Sequence, residues 1–152
     1  MFESLENSAF SQWVLGSDSL LAYPTILTAH TVGLGLVVGT ALIFNLRVLG
    51  FGAEIAIANM RTLVRIFWVG FAINLTSGLI LFAAEATKRV PQRVFYIKLG
   101  LIAVAMILTM RLRTAPEDGR RDSGAVRFLA GVALLLWAGA IVAGRLMAYI
   151  EQ

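Results

Sequence analysis

The single histidine of the chain, His30, lies inside a long apolar run, YPTILTAHTVGLGLVVG. Imidazole changes charge near neutral pH and is the commonest protein ligand for transition metals. It follows Pro24 by six residues, or about 9 Å at helical rise. An ionisable group at that depth in an apolar segment is a functional candidate by default. It is equally able to be a neutral imidazole hydrogen-bonded to a neighbouring helix. Lys98 is the second such group, the one charge in the run 94–110. It sits about 6 Å along its helix, so depth puts it at the level of His30. Its ordinary reading is a cation that snorkels to the headgroups.

Other polar side chains cluster near the same level. Tyr23, Glu85, Tyr96 and Arg145 stand at the ends of apolar runs, where aromatic and charged residues mark membrane interfaces. Asn74, Thr76 and Ser77 lie deeper and suit hydrogen bonds between helices. Gly33, one turn beyond His30, is expected either to leave room for a flat ligand or to let a neighbouring helix approach. Gly35-x-x-x-Gly39 and Ala140-x-x-x-Gly144 are further small-residue faces.

These residue types exclude several chemistries. There is no cysteine, so disulfides, thiolate metal sites and thiol nucleophiles are absent. No Asp or Glu occurs inside an apolar run, which weakens a proton-coupled transporter. Five scattered Met with one His do not form a copper site. What remains is one imidazole with cations at its level. That set suits a redox cofactor, b-type haem or a quinone. His30 would be the axial metal ligand, Lys98 or Arg145 would face the haem propionates, and the sixth ligand would be Met147, the partner's His30 in a homodimer, or nothing. In the quinone variant His30 hydrogen-bonds a carbonyl. The alternative is a structural or accessory subunit of a larger membrane complex, without a cofactor, in which His30 is a packing residue. No enzymatic activity of the chain on its own is expected.

The elements that must carry these residues are membrane spans. Hydrophobic residues make up 59% of the 152, charged ones 14%, and mean hydropathy is +0.81. A soluble domain of this size cannot hide so much apolar surface. The pI near 10.1 does not point to nucleic acid, because the basic residues sit between apolar runs rather than along a surface stripe. Four runs are long enough to cross a bilayer. They predict helices at about 20–46, 63–84, 94–112 and 127–148 in one all-α domain, an integral membrane four-helix bundle. Pro91 fits the start of the third. The stretch 51–65 reads as an interfacial connector or as an early start of the second. Phe2, Leu5, Ala9 and Trp13 at helical spacing predict a short amphipathic helix plugging the mouth of the bundle.

Orientation follows from Lys and Arg. The first 46 residues have none, so a cleaved signal peptide is not expected. Eight basic residues fall in the first and third connections, against four in the second connection and the tail. This predicts both termini on the periplasmic side of a bacterial inner membrane. Membrane lipid, further copies of the chain or other membrane subunits are the expected partners.

The stretch YPTILTAHTVGLGLVVGTALIFNLRVLG, with SGLILFAAEAT and VFYIKLGLI further on, resembles an uncharacterised family of small bacterial four-span membrane proteins. In that family the first helix reads Tyr-Pro, then H-x-x-G, then D-L-R-x-L-G, and the third carries an Ile-Lys pair. The likeness runs from about Tyr23 to Ile102. It implies the four-span fold and draws attention to His30, Arg47 and Lys98. Asn45 stands here where the pattern has Asp, which argues against any role that needs a charge at that position.

Overall fold

The computed structural model describes residues 6–16, 22–51, 57–113 and 123–149. They form α1 (Ala9–Gly16), α2 (Ala22–Val48), α3 (Ile57–Ala84), α4 (Ala86–Arg89), α5 (Arg93–Arg113) and α6 (Gly124–Tyr149). The described residues are all-α, and four of the helices are long and apolar enough to cross a membrane. Candidate spans run Ala22–Val48, Arg61–Ala84, Arg93–Leu112 and Gly124–Met147, within a few residues of expectation. The second helix starts early, at Ile57, which decides between the two readings of 51–65 for its described part.

Helix ends follow local chemistry. Gly50 has φ +96, a backbone region that costs L side chains and not glycine. The N–H of Phe51 reaches the Leu46 carbonyl at 2.9 Å and that of Gly50 the Arg47 carbonyl at 3.1 Å. These are the paired bonds of a Schellman motif, and they end α2. Arg127 Nη2 donates to the Leu49 carbonyl at 2.9 Å, satisfying another carbonyl left over at that end. Ser123 Oγ accepts the Val126 N–H at 3.4 Å, the N-cap arrangement for α6.

The described residues group into two compact units. The first joins residues up to Val37 with Arg65–Gln92, hence α1, the first part of α2, most of α3, and α4. Here α2 and α3 meet through glycine. A Cβ on Gly33 would lie 2.7 Å from the Asn74 nitrogen, and one on Gly70 would lie 2.6 Å from Leu36 Cβ. Only hydrogen at both positions allows this approach.

Helix α1 belongs to this unit, and its buried face differs from expectation. Phe2 and Leu5 lie outside the described residues. Ala9 is exposed and Trp13 is 56% exposed, while Ser11 and Val14 are buried. The reason is the unsatisfied carbonyl end of α3. Ser11 Oγ donates to the Ala83 carbonyl at 3.3 Å, and the Glu6 carboxylate accepts from the Thr87 N–H at 3.3 Å and from its hydroxyl. A small hydroxyl face therefore turns inward, leaving the indole outward at the end of a span, where Trp is enriched.

The second unit holds the rest of α2, the start of α3, α5 and α6. Val48, Leu112, Ala130 and Ala133 form its buried cluster. Alongside is a buried polar group from three helices. Asn45 Nδ2 donates to Thr109 Oγ1 at 3.1 Å and to the Ala41 carbonyl at 2.8 Å, and Trp137 Nε1 donates to Thr109 Oγ1 at 3.1 Å. Asn45 thus works as a neutral donor between helices, a use for which the amide suits better than a carboxylate.

The outer faces are apolar: Leu135 is 74% exposed, Phe128 70% and Leu79 60%. Only 11–22% of each candidate span is buried within the chain. Apolar exposure of this kind on candidate spans suits a membrane environment.

Candidate functional site

The surroundings of His30 are built by one face of α3. Gly70, Asn74, Ser77 and Gly78 recur at i, i+4, i+7 and i+8, so all four line one stripe. His30 Nδ1 lies 3.0 Å from the Asn74 carbonyl oxygen and 3.1 Å from Ser77 Oγ. Asn74 Nδ2 lies 3.4 Å from the same nitrogen, but donates to the His30 carbonyl at 2.8 Å. The ring rests over Gly78, where a Cβ would stand 3.1 Å from Cε1.

The nearer of these contacts favour one tautomer. A carbonyl oxygen only accepts, so Nδ1 must carry the proton to bond it. Ser77 gives its own proton to the Ile73 carbonyl at 2.6 Å, so toward His30 its oxygen accepts as well. Both nearer neighbours of Nδ1 act as acceptors, while Asn74 Nδ2, farther at 3.4 Å, has a second N–H besides the one it gives to the His30 carbonyl. The two nearer contacts therefore favour a neutral His30 protonated at Nδ1, which puts the ring lone pair on Nε2. A backbone carbonyl on one ring nitrogen is the usual device by which a histidine ligand is oriented and its other nitrogen made more basic.

The other sequence candidates have these positions. Gly33 serves the approach of α2 to α3: the room expected there for a flat ligand is filled by the backbone of Asn74 and Gly70. His30 and Gly33 belong to the first unit, and Lys98, Arg145 and Met147 to the second. Lys98 is half-buried, and its Nζ passes 3.6 Å from the Cβ position of Gly144. Its stem fills the notch left by the Ala140–Gly144 small-residue face, and Leu101 packs against Gly139 beside it. Arg145 is exposed and Met147 is buried. Glu85 pairs with Arg89 across one turn. Tyr96 and Thr76 are exposed. Gly35 and Gly39 have nothing within 4 Å of their Cβ positions, so this small-residue face is open.

Among the described residues no group of three or more His, Cys, Asp or Glu side chains could cage a metal ion. A single imidazole suffices for iron already held by a porphyrin, whose other equatorial ligands are its own.

Sequence reasoning missed Asn74, Ser77 and Gly78 as partners of His30. The signal was present as a polar and small stripe at helical period on an otherwise apolar helix. No family model matches the chain, and no curated protein or solved structure matches it either.

Proposed function

We propose that this chain is a small multi-pass membrane subunit in which α3 holds His30 as an oriented electron-pair donor to a flat redox ligand. The observation that carries the reading is the Nδ1 bond to the Asn74 carbonyl, which makes Nε2 the donor atom. Two ligand classes accept an electron pair there: the iron of a b-type haem, and the hydroxyl of a reduced quinone. An oxidised quinone carbonyl needs a proton donor, and neutral His30 has already committed its only one. The quinone variant therefore takes the quinol form.

A second reading has its own support. Asn74 both accepts from His30 and donates to its main chain, a two-way clasp that an accessory subunit would keep for packing alone. Protein purified from its native membrane in mild detergent distinguishes the two. A Soret band, or a quinol recovered by organic extraction in proportion to protein, is expected. A protein spectrum with no extractable ligand would favour the accessory role.

The same reading places both termini on the periplasmic side of a bacterial inner membrane, on the strength of the Lys/Arg bias. A C-terminal alkaline phosphatase fusion is expected to be active and a fluorescent-protein fusion dark. The opposite pattern would move His30 to the cytoplasmic leaflet. The small buried share of each span supports assembly with further copies or other membrane subunits.

A further inference from the structure

The Asn74 carbonyl lies inside α3, where helical pairing already gives it the N–H of the residue four positions on, Gly78. Helical side chains lean toward the N-terminus, so a carbonyl of this kind is screened by the side chains three and four positions on. Here those positions are Ser77 and Gly78. Ser77 is small, and its hydroxyl turns back to the Ile73 carbonyl at 2.6 Å. Gly78 has no side chain. The His30 ring enters through this opening from α2, with Nδ1 3.0 Å from the Asn74 oxygen. A Cβ at Gly78 would stand 3.1 Å from Cε1 and 3.4 Å from Nδ1. Beyond α3's own backbone and the two chain neighbours, no other atom of the described residues comes within 4 Å of that position. The Nδ1–Cε1 edge of the imidazole therefore lies on Gly78, and Nε2 stands farther off.

We infer that Gly78 is a positioning residue for His30: it leaves the Asn74 carbonyl open to the ring, holds the ring proton on Nδ1 and so keeps Nε2 as the free electron-pair donor. Its role differs from that of Gly33 and Gly70. A Cβ at either of those would strike backbone or Cβ atoms of the facing helix, so they set the distance between α2 and α3. A Cβ at Gly78 would meet the ring alone. The imidazole is rigid and moves only by turning about χ1 and χ2 of His30. A turn that relieves Cε1 carries Nδ1 with it, because the two atoms are bonded. The contacts of Nδ1, at 3.0 and 3.1 Å, already lie in the upper part of the N–H···O range, so a small displacement weakens both. The inference rests on the reading of His30 as a donor through Nε2. It concerns the ring before any ligand arrives, so a chain found to carry none would leave it standing.

Nitrogen-15 spectra of the histidine ring, taken on the full ligand-free chain in detergent with the ring neutral, test it. The ratio of Nδ1-protonated to Nε2-protonated ring is expected to fall about fivefold in Gly78→Ala, the loss of one ordinary hydrogen bond. It should not change in Gly35→Ala, whose new methyl meets nothing within 4 Å. An unchanged ratio in Gly78→Ala, with wild type protonated on Nδ1, would overturn the positioning role alone. A wild-type ring protonated on Nε2 would overturn that role together with the reading of His30. Thermal melting supplies a second measure. Gly78→Ala is expected to lower the melting temperature of the wild-type chain and not that of His30→Ala, where the ring is gone. Equal lowering in both backgrounds would make Gly78 a contact between helices and refute the inference. Should Gly78→Ala fail to fold, wild type decides. A strong nuclear Overhauser contact between Hε1 of His30 and an Hα of Gly78 is required, and its absence would refute the inference.

Discussion

Gly33→Ala is expected to destabilise the helix pair that holds His30, whereas Gly35→Ala, two residues away on the same helix, is expected to leave it intact or slightly firmer. The new methyl at Gly33 would stand 2.7 Å from the Asn74 nitrogen and 2.9 Å from the Gly70 carbonyl oxygen. Both are backbone atoms of α3, so neither can swing aside as a side chain would. The helices must separate, at a cost of about 1–3 kcal/mol. That separation also lengthens the His30–Asn74 bond. At Gly35 nothing lies within 4 Å of the new methyl, and alanine favours a helix over glycine by up to ~1 kcal/mol. Thermal unfolding in one detergent, followed by circular dichroism, reads the contrast. Equal melting of the two variants would contradict the glycine contact between α2 and α3.

His30→Ala is expected to abolish ligand retention while leaving the chain folded. The substitution removes the ring bonds to the Asn74 carbonyl and Ser77. It keeps the bond from Asn74 Nδ2 to the main-chain carbonyl of residue 30, and the Gly33–Gly70 approach is untouched. The loss in stability is therefore small, about 0.6–2 kcal/mol for a polar contact between membrane helices. Ligand loss is all or none, because Nε2 is the proposed donor atom and no substitute stands at that position. Ser77→Ala serves as the control. Nδ1 keeps its carbonyl partner, the tautomer is unchanged, and the ligand should be retained. Equal ligand content in wild type and His30→Ala would remove His30 from the site. Loss of the ligand in Ser77→Ala as well would mean that the hydroxyl, not the carbonyl, sets the ring.

The spans were legible because their apolar runs are long and nearly free of charge. Residues 20–46 carry no charged side chain, and α2 covers almost the same stretch. Its end two residues later was legible in retrospect from Gly50, the residue able to take the left-handed turn there. The inward face of α1 was not legible. Apolar spacing pointed to Ala9 and Trp13, but the deciding contact is a hydroxyl meeting a carbonyl at the end of another helix, and hydropathy carries no trace of that. In the sequence Asn45 stood out only as a departure from the Asp of the resembled pattern. Its bond to Thr109 of α5 depends on the azimuth of α2, which depth along a helix does not give.

The candidate site divides the same way. His30 stood out in sequence because it is the one imidazole in an apolar run. Its tautomer needed the positions of the Asn74 carbonyl and of the Ser77 proton, both supplied by α3. Gly33 was noticed beside it, but the choice between ligand space and helix contact required the backbone of Gly70 and Asn74. Lys98 was placed by depth, and the notch at Gly144 that receives its stem emerged only from the packing of α5 on α6.

The proposed role of His30 turns on which of its ring nitrogens carries the proton. Since His30 is the only histidine, nitrogen-15 labelling of histidine gives one pair of ring signals with no assignment needed. Recorded on the ligand-free chain in detergent at a pH where the ring is neutral, the pair is expected to show a protonated Nδ1 and an unprotonated Nε2. A ring protonated at Nε2 instead would leave no lone pair for iron or for a quinol hydroxyl, and would contradict the proposed role of His30.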